Sequence, residues 1–403
     1  MNLTLLLDLD DTLLINNIEG FLPAYLKALS THLVKYVEPK AMVPCLLAAT
    51  QAMVYNRHPD RTLKQVFDAH FYPELGLDLE EMQQPLADFY SEVFPTLKPL
   101  TQPRPEAMDL VNEAVRRGYQ LAIATNPLFP LTAIEQRLSW AGISLHEVPL
   151  RLISSYETFH FSKQHVAYYA ELLARLGWPD GPVIMVGDDL DRDIAPARKL
   201  GIQAWWLPKD GVTKPNGLWG PSNSGGLEGL FRWIDSQPEE ALKPDFNLPS
   251  AMLAILRSTP AVIDTLCSDL PDDVWLSRPA PEEWCPTEVI CHLRDVDREV
   301  NLPRVQTMLA EENPFIPGKD TDPWAQERQY VCQNGAEALH EFTNTRLELL
   351  NLLEELPEDG WKRTARHAIF GPTTLAEVVS INAGHDRLHV QQIMQALQAA
   401  TTN

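Results

Sequence analysis

The chain lacks any uninterrupted apolar run of about 18 residues, the length a bilayer-spanning helix needs. Its N-terminal run Leu3–Leu7 stops at Asp8 with no basic stretch before it, so neither a membrane span nor a cleavable leader is expected. Positive charge is also short: 33 Lys+Arg stand against 55 Asp+Glu, a formal net charge of −22. The deficit is shared along the chain, because residues 251–403 hold 12 basic and 24 acidic residues and the remainder carries −10. Nucleic acid and anionic lipid are normally held through Lys and Arg, so neither nucleic acid nor membrane is an expected partner. No C-x-x-C pair occurs among the five cysteines, Cys45, Cys267, Cys285, Cys291 and Cys332, and their number is odd. A chain of this length needs no disulfide staples, and a reducing, cytoplasmic location is the expectation.

What is present suits two ordinary cores. At 403 residues, with 45% apolar and 22% charged residues, the chain is too long for one core and apolar enough to fill two. In the first half, short apolar runs alternate with helix-period segments, the pattern of parallel strands joined by crossover helices. Leu3–Leu7, Gln120–Ala124, Val183–Val186 and Ala204–Leu207 read as strands. The first two are separated by far more chain than a βαβ crossover requires. Helical periodicity in Leu26–Val37, Ala41–Tyr55 and Leu79–Phe94 marks that excess, about 16–104, as an inserted cap. A Gly-, Pro-, Ser- and Asn-rich stretch runs from Pro208 to Gly226, followed by a closing helix at Leu227–Ile234.

Residues 237–248 have linker composition. Beyond them, helical patterns dominate and no strand is evident: Ala251–Leu266 (interrupted near Pro260), Pro286–Glu311, Ala336–Leu356 and Leu375–Leu397. The fold expected is therefore an α/β Rossmann-like parallel sheet with a helical cap insertion over 1–236, followed by an all-α four-helix bundle over 249–400.

Chemistry concentrates where the first strand ends. Asp8-Leu9-Asp10-Asp11-Thr12 places carboxylates at the carboxyl edge of a parallel sheet, where open α/β folds bind ligands. Two acids two residues apart can share phosphoryl transfer, one as nucleophile and the other as proton donor and acceptor. Their mutual repulsion calls for a divalent cation. Three further motifs follow in order: Leu121–Ala124 ending in Thr125-Asn126, Lys163 ahead of a helix, and Gly187-Asp188-Asp189-Leu190-Asp191-Arg192-Asp193. Together the four resemble the haloacid dehalogenase-like hydrolases over residues 1–236.

That resemblance implies Asp8 as nucleophile, Asp10 as general acid/base, and Thr125 and Asn126 as binders of the phosphoryl oxygens. It implies Lys163 as the charge-balancing ammonium, and Asp8, Asp10, Asp188 and Asp193 around Mg²⁺, with Asp193 as a supporting acid. Gln164 follows Lys163 where the family often has Pro, so Lys199 and Lys209 stay open for its role. Asp189 and Asp191 are either solvated or metal-associated. An acid at position 10 favours a phosphomonoesterase over carbon–halogen cleavage, with a small phosphorylated metabolite as substrate. Arg57, Arg61 and Lys64 of the cap could hold an anion, although a solvated face explains them more simply.

A second constellation lies in the bundle. His385 and His389 are four apart on one helical face, and His292 on another helix could complete a three-nitrogen site for Zn²⁺ or Ni²⁺. Pro279-x-Pro281-Glu282-Glu283-Trp284, Val289-x-x-His292-Leu293-x-Asp295, Gly371–Leu375 and His385-Asp386-x-x-His389-x-x-Gln392 resemble the DinB-like four-helix family. The resemblance implies a metal-binding bundle, either a metal-dependent thiol transferase or a non-catalytic module for homodimer formation or metal sensing. Asp295 and Asp386 are candidates to orient the imidazoles or to lie exposed, and Cys285 and Cys291 read as small core residues.

Overall fold

Among the described residues, seven short strands organise the first half: β1 (Thr4–Leu7), β2 (Leu14–Asn16), β3 (Thr101–Pro103), β4 (Gln120–Ile123), β5 (Leu150–Ile153), β6 (Val183–Gly187) and β7 (Gln203–Trp206). The computed structural model describes residues 2–16, 18–209 and 223–402, so part of the Gly- and Pro-rich stretch, 210–222, lies outside the described residues. The chain divides into two units, Met1–Tyr168 with Pro179–Pro244, and Tyr169–Trp178 with Asp245–Asn403.

In the first unit β5-β4-β1-β6-β7 form one parallel sheet. β1 is completely buried, as a central strand covered on both faces must be, which is why it reads as an unbroken apolar run rather than an alternating one. Register fixes the site: Leu7 lies opposite both Ile123 and Val186, so the residues after β1, β4 and β6 emerge at one level. β5 was not foreseen; it lies at the sheet edge with partial exposure and carries Arg151 among its apolar residues. Antiparallel β2 and β3 form a separate two-stranded ladder. Between them lie helices Ile18–His32, Pro39–Tyr55, Leu63–Leu75 and Leu79–Asp88, the inserted helical cap. Leu63–Leu75 shows how locally these are specified: Thr62 and Gln65 form a reciprocal capping box, and Gly76 ends the helix at φ +63°.

The second unit packs four long helical segments, Pro249–Cys267, Pro286–Val296 continued by Leu302–Ala310, Gly335–Glu354 and Leu375–Thr402. Two expectations need correcting. The bundle carries a three-stranded sheet of β8 (Phe315–Ile316), β9 (Thr364–His367) and β10 (Gly371–Thr374), in the order β10-β9-β8. Strands of two to four residues such as Gly-Pro-Thr-Thr are too short and too polar to show a period-2 pattern. Helix Pro249–Cys267 also continues through Pro260. Proline removes the N–H that would bond the carbonyl four residues back; here that carbonyl, Leu256 O, instead accepts from Arg346 Nη1 at 2.8 Å. The helix is apolar enough by composition to cross a bilayer, with mean hydropathy 1.2, yet 72% of that stretch is buried inside the protein.

Among the described residues three π-helical turns, Phe89–Val93, Leu190–Ile194 and Asp297–Asn301, each stand two residues ahead of a proline, Pro95, Pro196 and Pro303. Widening the turn to an i→i+5 bond is a way to accommodate a residue that cannot donate and whose ring crowds the preceding turn. The segment Pro286–Glu311, expected as one helix, is divided at the third of these turns.

That turn supplies Asp297 to the centre of the bundle. Arg346, fully buried, donates from Nε to Asp297 Oδ2 at 2.7 Å and from Nη2 to Asp297 Oδ1 at 3.2 Å. Its Nη2 also reaches Asp386 Oδ1 at 3.0 Å, and its Nη1 pairs with Asp386 Oδ2 as well as with Leu256 O. One guanidinium thus joins all four helical segments with every N–H engaged. Removing it strands two buried carboxylates, so Arg346→Leu should destabilise the bundle by about 3–5 kcal/mol. Urea unfolding followed by circular dichroism measures this; a loss below about 1 kcal/mol would show that the network does not hold the bundle together.

Candidate metal centres

The first cluster follows from the tight turn after β1. Leu9 O accepts from the N–H groups of Leu13 and Leu14, both at 2.9 Å, and Asp11 takes φ +60°, so the chain reverses at once. Asp8 is left at the sheet edge, and its N–H bonds Val186 O at 3.0 Å. Beyond β6, Asp193 comes from the π turn Leu190–Ile194 and folds back over Gly187, where any Cβ would overlap its carboxylate. Asp8, Asp188 and Asp193 each offer a carboxylate oxygen within 4.8 Å of the others.

Lys163, 1% exposed and just ahead of helix Val166–Arg175, lies between two of them. Its Nζ donates to Asp8 Oδ1 at 2.6 Å and pairs with Asp193 Oδ1. Burial disfavours its charge, but Asp193 and Asp8 outweigh that and hold its pKa up. The carboxyls of Asp8, Asp188 and Asp193 are all pushed above their ordinary values, chiefly by burial and further by one another. Three buried or half-buried carboxylates against one buried ammonium leave negative charge uncompensated. This hard-oxygen donor set fits Mg²⁺.

Thr125 is buried beyond β4, its carbonyl accepting from Ser154 Oγ and Tyr168 Oη, each at 2.9 Å. Asn126 Oδ1 accepts from the Lys163 backbone N–H at 3.2 Å, tying the second motif to the third. Asp10 stands apart from the three clustered acids: Oδ1 accepts from Asn16 Nδ2 at 3.0 Å and Oδ2 from Arg137 Nη1 at 2.5 Å. Arg137, 2% exposed and resting on the Phe129 ring at 4.7 Å, went unnoticed in the sequence because it looks like one more surface residue of helix Leu131–Trp140. Among the alternative lysines, Lys209 reaches Asp188 Oδ2 at 3.1 Å and Asp11 Oδ2 at 2.9 Å from an exposed position. Asp189 caps the following turn and pairs with Arg192 at 2.6 Å, and Asp191 is exposed. In the cap, Lys64 pairs with Asp68 at 2.5 Å, and Arg57 and Arg61 are exposed.

The second cluster gathers His292, His385 and His389. His385 Nε2 lies 3.2 Å from His292 Nε2 and 2.9 Å from His389 Nε2. A single ring nitrogen can donate to only one of two such neighbours, so hydrogen bonding alone does not account for the convergence. Tetrahedral zinc with Zn–N of about 2.0–2.1 Å would separate its nitrogens by roughly 3.3–3.4 Å, close to the spacing seen. Burial, reinforced by the neighbouring rings, lowers the pKa of His292 to about 3; burial lowers His385 and His389 to about 4. All three are therefore neutral at pH 7, the form that binds metal. These residues fit a transition metal.

The surroundings differ from the expectation. Asp295 neither bonds an imidazole nor lies exposed: it is buried between Arg294 at 2.8 Å, Arg328 at 2.6 Å and Tyr330 at 2.8 Å. Asp386 belongs to the Arg346 network. The imidazole partner is Gln392, whose Oε1 lies 2.6 Å from His389 Nδ1. Trp284 lies parallel to the His389 ring at 6.1 Å, and a cavity of about 690 Å³ opens over the imidazoles.

A parallel sheet with clustered strand-end acids beneath a helical cap, and a bundle with three convergent imidazoles, define two domain classes. Residues 3–201 match the family model of haloacid dehalogenase-like hydrolases, and residues 255–393 match that of the DinB superfamily. The chain joins a haloacid dehalogenase-like hydrolase domain to a DinB superfamily domain. It is 29% identical over 103 residues to a glyceraldehyde 3-phosphate phosphatase of Methanocaldococcus jannaschii, a match covering 26% of this chain and 43% of that one. It is 28% identical over 115 residues to an Oceanobacillus iheyensis protein whose name places it among metal-dependent hydrolases, covering 27% of this chain and 63% of the other. The chain therefore spans less than two thirds of the length of either. Among solved structures, YfiT from Bacillus subtilis shares 19% identity at a TM-score of 0.36, covering 41% of this chain and 93% of YfiT.

No cysteine joins either cluster. Cys285 and Cys291 are fully buried, with burial pushing their thiols up to about 11 and about 12; burial likewise pushes Cys267 to about 12 and raises Cys45. A raised thiol pKa means less thiolate, the reactive form, at pH 8. Iodoacetamide on the native protein at pH 8 should therefore modify Cys332, the exposed cysteine, and spare the other four. Peptide mass spectrometry reads the outcome, and rapid labelling of Cys285 or Cys291 would overturn their reading as inert core residues.

Proposed function

We propose that the first unit is a phosphomonoesterase for a small phosphorylated metabolite, working through an aspartyl-phosphate on Asp8, and that the second unit binds Zn²⁺ or Ni²⁺ through His292, His385 and His389. The observation that carries the first reading is Asp8 Oδ1 fixed by Lys163 Nζ at 2.6 Å with Asp188 and Asp193 alongside. A side-chain oxygen positioned this way is an aimed nucleophile, and the ammonium beside it can follow the charge onto the phosphoryl oxygens. Mg²⁺ among Asp8, Asp188 and the Asp10 carbonyl would supply charge neutralisation and orientation of the phosphoryl group.

In the first step the Asp8 carboxylate forms a bond to phosphorus as the phosphorus–oxygen bond to the leaving group breaks, and Asp10 gives that oxygen its proton. In the second, Asp10 takes a proton from the water that attacks phosphorus, which frees Asp8 and releases phosphate. Thr125 and the backbone around Asn126, at the same level as Asp8, are suited to hold the phosphoryl oxygens. Arg137 and Asn16 set the direction of the Asp10 carboxylate. The name of the Methanocaldococcus jannaschii relative, a glyceraldehyde 3-phosphate phosphatase, supports a small phosphorylated substrate.

For the bundle, the cavity over the imidazoles supports ligand binding more than a purely structural role. In purified full-length protein with a generic phosphomonoester and Mg²⁺, Asp8→Asn should lower kcat by at least about a thousandfold. Chelation should abolish turnover and added Mg²⁺ should restore it. Activity of Asp8→Asn within about tenfold of the parent would overturn the nucleophile assignment. Elemental analysis should find about one transition-metal ion per chain, lost in His385→Ala/His389→Ala; full metal content in that variant would place the ion elsewhere.

A further inference from the structure

The cavity of about 690 Å³ over the three imidazoles has one feature that its metal-binding role does not require. Its lining includes Glu282, Glu283 and Asp322, and no Lys or Arg. All three acids are exposed, and none makes a salt bridge with a basic side chain among the described residues. Elsewhere in this unit carboxylates near the bundle core are matched by cations: Asp295 by Arg294, Arg298 and Arg328, and Asp297 and Asp386 by Arg346. Around the cavity these three carboxylates have no such ion pair among the described residues: Arg278, the cation at the rim, donates to the Glu283 backbone carbonyl at 2.9 Å and pairs with Glu288 at 2.6 Å. The other polar lining residues, Gln391, Gln392 and Gln395, are neutral, and Trp284 offers an aromatic face.

Resting on the reading that His292, His385 and His389 hold a metal, we propose that this cavity takes a ligand carrying a protonated amine or other cationic group, which faces Glu282, Glu283 and Asp322 while its opposite end reaches the imidazole cluster. Three unmatched carboxylates leave the rim negative even when a dication is bound below it. A cation entering the rim supplies the missing partner, and an aromatic face is a favourable neighbour for it. An anionic ligand of the same size meets uncompensated repulsion, so phosphate esters, the substrates proposed for the first unit, are poor ligands here. The two sites therefore serve chemically different molecules.

The test uses the full chain loaded with Co²⁺ as a spectroscopic stand-in for Zn²⁺, in excess Mg²⁺ to occupy the carboxylate cluster. Three small thiols of different charge are titrated at low ionic strength: 2-aminoethanethiol, 2-mercaptoethanol and 3-mercaptopropanoate. Each affinity is read from the thiolate-to-cobalt absorption band, which should vanish in His389→Ala. Glu282→Gln/Glu283→Gln/Asp322→Asn should reduce the affinity ratio of the cationic over the anionic thiol by about tenfold, the scale for a few exposed charges acting together. Comparing the two proteins cancels the differing acidities of the thiols themselves. High salt should reduce the ratio in the parent and barely change it in the variant. Cobalt uptake with the same ratio in both proteins, or with no band for any thiol, would overturn the proposal alone; no cobalt uptake would overturn the metal reading and the proposal with it. Because the three positions are exposed, unchanged cobalt stoichiometry in the variant verifies that its fold is intact.

Discussion

Both units are organised round a buried cation held between two carboxylates from different elements. In the first, Lys163 lies between Asp8 and Asp193; in the second, Arg346 lies between Asp297 and Asp386. Each arrangement is under-neutralised by one charge before any further group is counted. Two like charges about 4–5 Å apart repel by roughly 3–4 kcal/mol at an effective dielectric of about 20, so the cation is obligatory. The excess matters equally. In the first unit it is increased by Asp188, and in the second it lies close enough to the imidazoles for Asp297 to favour positive charge at His385. Each donor set therefore stands next to negative charge that a dication would relieve.

The choice of cation matches the work around it. Lys163 is a compact point charge with three donors, able to touch Asp8 and Asp193 at once and, on the proposed reading, to leave a donor for the phosphoryl group. Arg346 has five donors in a fixed plane and uses them on five oxygens of three residues, one from each of the other segments, which suits a position where nothing needs to move. Backbone irregularity makes both networks possible. Asp193 and Asp297 each lie within a π turn preceding a proline, and the carbonyl released by Pro260 is the one Arg346 takes. Prolines within helical stretches, ordinarily a cost, here coincide with the points where a side chain or a carbonyl is turned inward.

Legibility in the sequence followed how local each signal is. Strands β1, β4 and β6 are buried apolar runs, and the acids after β1 and β6 follow them directly, so fold class and acid cluster could be read together. The pair His385 and His389 declared itself by helical spacing. What escaped is long-range. Arg137 meets Asp10 across 127 residues, and Arg346 meets Asp297 and Asp386 across 49 and 40. No local pattern encodes such partners, although Arg346 left one trace: it stands on the apolar stripe of Leu339, Phe342, Leu349 and Leu353, where an unpaired charge would be prohibitive. Asp295 and Asp386 stand at helical spacing from imidazoles and were candidates to orient them, but arginines distant in sequence take both carboxylates: Arg328 reaches Asp295 and Arg346 reaches Asp386. Gln392, three beyond His389, shares its face and takes the role instead.

Net charge connects the two sites in a way that neither shows alone. A chain at −22 sets up a field that slows the approach of anions and aids cations. For the first unit that field is adverse to the phosphate ester proposed as its substrate, which would have to be held by short-range elements: the ammonium of Lys163, the exposed ammonium of Lys209 beside Asp188, backbone N–H groups and the dication the acids can hold. Short-range attraction of this kind favours selectivity over speed, because the ligand is rewarded only once desolvated and in place. The bundle cavity, with unmatched acids at its rim, works along the same field rather than against it. On the two proposals above, one acidic chain would carry an anion site and a cation site with opposite dependence on salt: screening lowers the long-range barrier to the first and removes part of the attraction to the second.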